Sequence, residues 1–187
     1  NSWEIPGTNV TGTSDATPVA KQFELLKELI PDAKKVGIIY NTSETNSEIQ
    51  VKSAKEVAEK LGLEIITSGI TSTNEIPLAL DSLLPKVDVL YTPTDNLVAS
   101  AMPLVVSKTI EHGVPYIGAE RAHVEGGALA TEGIDYYRLG FQTGAVAIEI
   151  LNGKSPKDIH ITTLEDTELV INLETARKLN IEIPEKL

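Results

Sequence analysis

Short apolar runs alternate with longer segments in which apolar residues recur at helical spacing. The apolar runs lie at residues 36–40, 63–67, 87–91 and 114–118. The run VGIIY at 36–40 has no polar alternation, which is typical of a parallel strand covered on both faces. The segments between the runs predict helices at residues 17–30, 44–61, 75–84 and 96–112. One strand and one helix repeat about every 25 to 30 residues, which predicts an α/β fold with a three-layer, doubly wound parallel sheet.

Prolines and polar residues set the predicted ends of these helices. Pro18 suits the first helical position after a Thr17 N-cap. Gly62 is expected to end the helix at 44–61, and Thr73 or Asn74 is expected to cap the helix at 75–84. Pro103 lies within the segment 96–112, where it predicts either a bend or the first turns of a helix.

The alternation becomes irregular after residue 118. A weak apolar strand is predicted at 128–131, followed by a long helix at 136–151 whose apolar face carries Leu139, Thr143, Val146, Ala147 and Ile150. Two short strands at 159–162 and 168–171 precede a last helix at 173–179, with Asn172 as its cap. These elements are expected to leave the first sheet and return to it. Residues 1–8 are polar and predict a linker, and residues 9–13 a short extended segment.

Composition narrows the classes of function. The 187 residues have an ordinary apolar content of 41% and a net charge of −11. This charge argues against nucleic acid as a partner, because phosphate binding needs clustered lysine and arginine. The absence of cysteine excludes disulfides, thiolate metal sites and a cysteine nucleophile. No apolar run approaches the roughly 18 residues of a membrane span. The sequence starts at Asn1 without methionine, so we expect it to be a piece of a longer protein.

Polar side chains follow the predicted strand at 36–40, where the next helix begins. They are Asn41, Ser43, Glu44, Asn46 and Ser47. A helix N-terminus exposes backbone N–H groups at the positive end of the helix dipole, so this turn suits the carboxylate of a ligand. Helix capping explains the same residue types without any ligand, and it explains Ser43 fully. Both interpretations remain open for each residue.

Two further clusters follow the runs at 87–91 and 114–118. They comprise Thr92, Thr94, Asp95 and Asn96, and then Gly118, Ala119 and Glu120. The Asp95 carboxylate suits an ammonium group through a charge-assisted hydrogen bond, or it caps the following helix. Gly118 would let a ligand approach the backbone. Glu120 either faces the ligand or serves as a first-turn acid favoured by the helix dipole.

The sequence carries little that indicates an enzyme. His112, His123 and His160 have no metal-ligand spacing. There is no nucleophile elbow, no P-loop and no glycine-rich dinucleotide motif after a strand. We therefore expect no enzymatic activity, no metal and no cofactor.

Several long segments resemble one known family. They are NVTGTSD at 9–15, KQFELLKELIPDAKKVGIIYN at 21–41, SETNS at 43–47, VDVLYTPTDN at 87–96, GIDYYRLGFQTG at 133–144 and ELVINLETARKLNIEIP at 168–184. They look like the ABC-transporter substrate-binding lipoproteins, which include tryptophan- and phenylalanine-binding proteins. The resemblance spans nearly the whole chain. It implies a two-lobed periplasmic-binding fold in which the chain crosses between the lobes three times.

The resemblance also implies how the chain is divided. Residues 1–12 would be a linker and the first crossing, residues 13–127 with 163–187 the second lobe, and residues 128–162 a segment of the first lobe. The opening βα units of that first lobe would precede Asn1. Asp135, after the second crossing, would face the cleft, although capping of the helix at 136–151 explains it equally well. That helix would lack its partner surface here, so we expect a homodimer or a swapped dimer formed through it.

Two functions from different classes follow from this fold. The first is the substrate-binding component of an ABC importer, a membrane-anchored extracytoplasmic lipoprotein that captures a small solute, expected to be an amino acid, and delivers it to the permease. The alternative is the effector-binding domain of a transcription regulator, and an α/β enzyme is a third, less favoured reading. For the first function, the ligand's carboxylate is expected at the turn 43–47 and its ammonium at Asp95.

Overall fold

The computed structural model of the chain describes residues 6–164 and 166–187, so residues 1–5 of the predicted linker lie outside the described residues. The chain divides into two compact units. We call Thr17–Gly133 with Leu169–Leu187 the sheet unit, and Asn1–Ala16 with Ile134–Glu168 the small unit. The assignment of these units to the two lobes of a larger protein stays a prediction.

Strands and helices alternate as far as the fifth strand. The strands are β1 (Thr13–Ser14), β2 (Lys35–Asn41), β3 (Glu64–Ile70), β4 (Val89–Thr92), β5 (Tyr116–Gly118), β6 (Ala130–Ile134), β7 (Thr162–Thr163) and β8 (Thr167–Ile171). The helices are α1 (Val19–Leu29), α2 (Thr45–Lys60), α3 (Ile76–Leu83), α4 (Asn96–Ser100), α5 (Met102–Glu111), α6 (Arg121–Glu125), α7 (Tyr136–Leu151) and α8 (Leu173–Lys178).

The sheet unit is built on a six-stranded sheet with the order β3-β2-β4-β5-β6-β8. The pairs from β3 through to β6 are parallel, which confirms the predicted doubly wound parallel sheet. β3 lies on one side of β2 and β4 on the other, so the direction of winding reverses at the β2–β4 boundary. In open α/β sheets this reversal leaves a crevice at the carboxyl ends of the two strands.

Helices cover both faces of the sheet. Helices α1, α2 and α8 pack on one face, and α3, α4, α5 and α6 pack on the other. The continuous apolar run in β2 contributes side chains to the hydrophobic cores on both faces of the sheet. Val36 and Ile38 pack in the core with α1, α2 and α8, and Ile39 packs in the core on the other face. This confirms the interpretation of that run as a strand buried on both sides.

The predicted helix at 96–112 is two helices. α4 ends at Ser100 and α5 begins at Met102, with Ala101 between them. Pro103 lies in the first turn of α5, where its missing N–H breaks no helical hydrogen bond. The second of the two expectations for this proline is therefore correct. The short helix α6 was not predicted.

Other boundaries differ from the predictions for local reasons. Thr17 does not cap α1, which begins at Val19, because its hydroxyl donates instead to Gln50 Oε1 (3.2 Å). Neither Thr73 nor Asn74 caps α3, since a single 3-10 turn, Thr73–Glu75, leads into that helix. The strand predicted at 159–162 is replaced by a 3-10 turn at Pro156–Asp158 and the two-residue β7. Gly62 follows α2 with φ of 68°, which confirms it as the residue that ends this helix.

The small unit packs α7 beside a two-stranded parallel sheet of β1 and β7. The Thr11 hydroxyl donates to the Ile159 carbonyl (2.8 Å), and Gln142 Nε2 donates to Thr162 Oγ1 (2.5 Å). The Asp135 carboxylate caps α7 by accepting from the backbone N–H groups of Tyr137 and Arg138. This confirms the capping interpretation of Asp135.

The exposed apolar face of α7 is not the one that the sequence predicts. Of the predicted face only Leu139 is buried, whereas Val146 and Ile150 are half-buried and Thr143 and Ala147 are exposed. A different stripe is open to solvent. It consists of Tyr137, Phe141, Ile148 and Leu151, with Tyr137 83% and Phe141 77% exposed. A stripe of this kind on a helix needs a covering surface.

We expect the 187-residue chain to self-associate through this stripe of α7. Burying each of these side chains is worth about 1.5–3 kcal/mol, so the double substitution Phe141→Ser and Ile148→Ser should shift the chain to monomer in size-exclusion chromatography with light scattering. Leu78→Ser, at an equally exposed apolar residue on α3, is the matched control and should leave the oligomeric state unchanged. A wild-type chain that is monomeric at all concentrations would refute the prediction.

Candidate ligand-binding site

The predicted site residues of the sheet unit lie on one edge of the sheet. Ser43 follows β2, Asp95 follows β4 and Glu120 follows β5. These three strands are parallel neighbours, so their carboxyl ends lie on the same side. The first two clusters also meet at the β2–β4 boundary, where the winding of the sheet reverses.

Asp95 lies at the centre of this edge. Its side chain is 2% exposed and accepts three hydrogen bonds: from the Asn41 backbone N–H (2.6 Å), the Ser47 hydroxyl (2.7 Å) and the Val98 backbone N–H (2.9 Å). The last of these bonds makes Asp95 the N-cap of α4. One carboxylate therefore joins the end of β2, the first turn of α2 and the start of α4.

Glu44 ties the same elements together nearer the surface. Its carboxylate accepts from Asn41 Nδ2 (3.0 Å), from the backbone N–H (3.2 Å) and Nδ2 (3.0 Å) of Asn96, and from the backbone N–H of Leu97 (3.4 Å). Partial burial raises the pKa of Glu44, but the hydrogen bonds from Asn41 and Asn96 outweigh it and hold the pKa below its usual value. Glu44 therefore remains ionised at neutral pH.

The loop after β4 is held by α2. Asn46 Nδ2 donates to the Thr94 carbonyl (2.7 Å). Gln50 accepts from the Thr94 backbone N–H (3.0 Å) and donates to the Thr94 hydroxyl (2.5 Å). The structure thus joins Asn41, Glu44, Asn46 and Ser47 to Thr94, Asp95 and Asn96 in one network.

Ser43 does not cap α2, although capping was expected to explain it fully. Its backbone N–H donates to Asn41 Oδ1 (3.0 Å), which forms a turn before the helix. The N-cap residue is Glu44, and its side chain makes no capping hydrogen bond. Ser43 is exposed at the edge of the sheet beside the first turn of α2.

The third cluster is organised by His123, which the sequence did not single out. Gly118 gives no opening to a ligand, because a Cβ placed there would lie 2.3 Å from the Cβ of His123. The prediction of a ligand approaching Gly118 is therefore wrong. The ring of His123 occupies this space, with Nδ1 3.2 Å from the Ala119 backbone nitrogen and 3.3 Å from Thr92 Oγ1. Thr92 is itself fully buried and also contacts the Tyr116 hydroxyl (2.5 Å).

Gln22 fixes the other side of the same loop. From α1 its Nε2 donates to the carbonyls of Ala119 (2.9 Å) and Glu132 (3.0 Å), and its Oε1 accepts from the Tyr91 hydroxyl (2.7 Å). The side chain is fully buried. The only sequence signal was a polar residue within the apolar stripe of α1.

Asp135 belongs to the small unit and is described only there, as the cap of α7. A groove of about 620 Å³ lies at the opposite, amino edge of the sheet, beside Asp32, Asp88 and Pro115, which precede β2, β4 and β5. None of the predicted site residues lines it. Within residues 6–164 and 166–187, no group of three or more potential ligands could hold a metal ion.

A family model for ABC transporter substrate binding proteins matches residues 1–187. The chain belongs to this family. The match agrees with the resemblance carried by the sequence, and the structure shares the family's periplasmic-binding fold. None of the helices in the described part of the chain is long and apolar enough to span a membrane.

Two similar proteins are named for an aromatic amino acid or were solved in complex with one. The chain is 49% identical over 181 residues to a tyrosine-binding protein from Clostridioides difficile (strain R20291), covering 97% of this chain and 52% of that protein. It is 40% identical to an ABC domain in complex with L-Trp from Streptococcus pneumonia, with a TM-score of 0.91, covering 99% of this chain and 63% of that one.

The ligand-free, open structure of CD0873 from Clostridium difficile, a substrate binding protein with adhesive properties, is 48% identical with a TM-score of 0.83 and the same coverage, 99% and 63%. The chain spans about half the length of the curated relatives it matches.

Proposed function

We propose that this chain forms one wall of an amino-acid site in the substrate-binding component of an ABC importer, which delivers its ligand to the permease. The observation that carries the proposal is the hydrogen-bonded network centred on Asp95, which gathers the polar groups following β2 and β4 at the reversal point of the sheet. This is where open α/β sheets bind small ligands. The family match favours the receptor over the effector domain of a regulator.

The proposed ligand is an aromatic amino acid. Two relatives that are 49% and 40% identical are named for tyrosine binding or were solved with L-Trp. The proposal places the ligand's carboxylate at the exposed first turn of α2, beside Ser43 and Asn46, where the helix dipole favours an anion. The second wall of the cleft would come from the other lobe.

The ammonium group is better placed at Glu120 than at Asp95. Asp95 is almost completely buried and already accepts three hydrogen bonds. The Glu120 side chain is 21% exposed at the end of the neighbouring strand β5. We therefore give Asp95 a positioning role and Glu120 the contact with the ammonium.

The proposal includes the setting in which the protein works. A solute receptor meets its ligand outside the cytoplasmic membrane, and we propose a lipid anchor that precedes this chain in the whole protein. Binding and release are proposed as the whole activity, without catalysis. Hinge closure of two lobes around the ligand would present the loaded receptor to the permease.

Isothermal titration calorimetry tests this function on the whole protein with both proposed lobes, which we call the two-lobed protein. L-tyrosine or L-tryptophan should bind with a dissociation constant of about 1 μM or tighter, near −8 kcal/mol, whereas D-ribose should give no heat. Glu120→Gln should weaken amino-acid binding by about tenfold to a hundredfold, because the ligand's ammonium loses a negatively charged acceptor and meets only a neutral amide oxygen.

Glu125→Gln is the control for this experiment. Glu125 is an exposed acid on α6 that pairs with Arg121 (2.8 Å), and its loss should change the affinity by less than about twofold. Absence of binding by every aromatic amino acid would refute the proposed function. Binding that Glu120→Gln leaves unchanged would remove Glu120 from the site.

A further inference from the structure

His123 reaches back from α6 to the loop that follows β5. Its ring lies over Gly118, and its Nδ1 lies 3.2 Å from the Ala119 backbone nitrogen. The Ala119 N–H also donates to the Thr92 carbonyl (3.1 Å), so its hydrogen is shared between that oxygen and Nδ1. A backbone N–H can only donate, so Nδ1 accepts in this shared bond. The neutral ring therefore carries its proton on Nε2.

The Nε2 atom of His123 points towards Glu120. It lies 3.4 Å from Glu120 Oε1, and no partner within hydrogen-bonding geometry is found for it among the described residues. The side chain of His123 is 1% exposed. A buried N–H without an acceptor is costly, and the nearest carboxylate oxygen needs to move only a few tenths of an ångström to accept from it.

A second buried polar atom lies beside the same loop. The hydroxyl of Thr131, in β6, also has no hydrogen-bond partner among the described residues. A Cβ built on Gly133 would lie 3.5 Å from this hydroxyl and 3.6 Å from the Cα of Glu120. Helix α6 and strand β6 thus each carry one buried polar atom for which no partner is found among the described residues, and each such atom needs an explanation.

We propose that His123 is a positioning residue: its Nε2–H donates to the Glu120 carboxylate and holds it in place for the ligand's ammonium group. The inference rests on the proposed function, which gives Glu120 that contact. Because His123 is neutral, it orients the carboxylate without cancelling its negative charge. Burial lowers the pKa of His123 to about 4, which keeps the ring neutral at the pH of binding experiments.

Gln22 and His123 contact different groups of the loop that follows β5. Gln22 fixes the carbonyl of Ala119 and His123 meets its N–H group, so the backbone before Glu120 is held from both sides of the sheet. Of these two side chains, His123 also reaches the Glu120 carboxylate. Its position under Glu120 depends on Gly118, since any side chain there would occupy the space of the ring.

Nitrogen-detected NMR of the histidine rings in the 187-residue chain tests the proposal without a ligand. His123 should be neutral at pH 7 with a protonated Nε2 and an unprotonated Nδ1. Glu120→Gln should shift the Nε2–H resonance, whereas Glu125→Gln should not. A protonated Nδ1 would overturn the positioning role, and so would an Nε2–H chemical shift that does not change in Glu120→Gln. Either result would leave the proposed function intact.

Two substitutions separate positioning from simple packing. In His123→Asn, the side-chain oxygen can still accept from Ala119, but the donor towards Glu120 is lost. In His123→Gln, the terminal amide restores a donor near the position of Nε2. In the two-lobed protein, His123→Asn should therefore weaken the affinity for L-tyrosine by about tenfold or more. His123→Gln should bind L-tyrosine with an affinity within about threefold of the wild-type value.

The deamino analogue of tyrosine, which keeps the ring and the carboxylate, provides the internal control. Its affinity should change by less than about twofold in His123→Asn, because no ammonium meets Glu120. Equal losses for both ligands, or no recovery with Gln, would show that His123 only packs. If wild-type protein binds neither aromatic amino acid, the proposed function fails, and the NMR experiment alone decides the His123–Glu120 contact.

Discussion

Replacing Asp95 by alanine should lower the free energy of unfolding of the chain by about 3–5 kcal/mol. The substitution leaves three buried donors without an acceptor, namely the N–H groups of Asn41 and Val98 and the Ser47 hydroxyl, and each unsatisfied buried group costs about 1–3 kcal/mol. It also removes the N-cap of α4. Urea unfolding followed by circular dichroism measures the loss.

Asp88→Ala is the matched control for this measurement. Asp88 also accepts two backbone N–H groups beside β2, those of Lys34 and Lys35 (both 2.8 Å), but it lies on the exposed opposite edge of the sheet. Water can replace an exposed acceptor, so the expected loss is only about 1 kcal/mol. Equal losses for the two variants would show that burial of Asp95 adds nothing. Any loss of ligand binding in Asp95→Ala must therefore be judged against its stability.

Gln22→Leu should cost about 2–4 kcal/mol of unfolding free energy. Leucine keeps most of the side-chain volume, but it removes the Gln22 donor from the buried bond to the Ala119 carbonyl and from the part-buried bond to the Glu132 carbonyl. It also removes the acceptor for Tyr91, where burial raises the pKa of the hydroxyl and keeps it protonated. Thermal and urea unfolding of the 187-residue chain give the value.

Tyr91→Phe isolates one bond of this network. The variant removes the hydroxyl that donates to Gln22 and preserves the packing of the ring on Phe23, whose centroid is 5.1 Å away. We expect a loss of about 1 kcal/mol. A loss as large as that of Gln22→Leu would mean that the two carbonyl contacts contribute little.

The hydrophobic pattern predicts the strands of the sheet because the residues that mark each strand are neighbours in the sequence. The run at 36–40 has no alternation, since Val36 and Ile39 face opposite cores. The polar residues after three such runs reach one edge simply because the strands are parallel. The placement of Ser43, Asp95 and Glu120 on a single edge therefore follows from the sequence.

The parts that the sequence did not reveal depend on contacts between distant residues. Gln22 binds carbonyls that are 97 and 110 positions away, and no local pattern marks such a partner. His123 was dismissed for want of metal-ligand spacing, yet its role comes from the space above Gly118. For Asp95, capping and ligand binding are both open from the sequence, and its burial together with the three hydrogen bonds it accepts favours the structural role.

The sheet is completed by residues that follow the small unit in the chain. β6 and its neighbour β8 are separated in the chain by residues 135–166, and the Asn172 backbone N–H donates to the Leu129 carbonyl (2.8 Å). During translation, β6 must therefore leave the ribosome with one side unpaired and wait for β8. An open strand edge is a template for pairing with other nascent chains, so slow synthesis of this segment would lengthen the period in which the protein needs a chaperone.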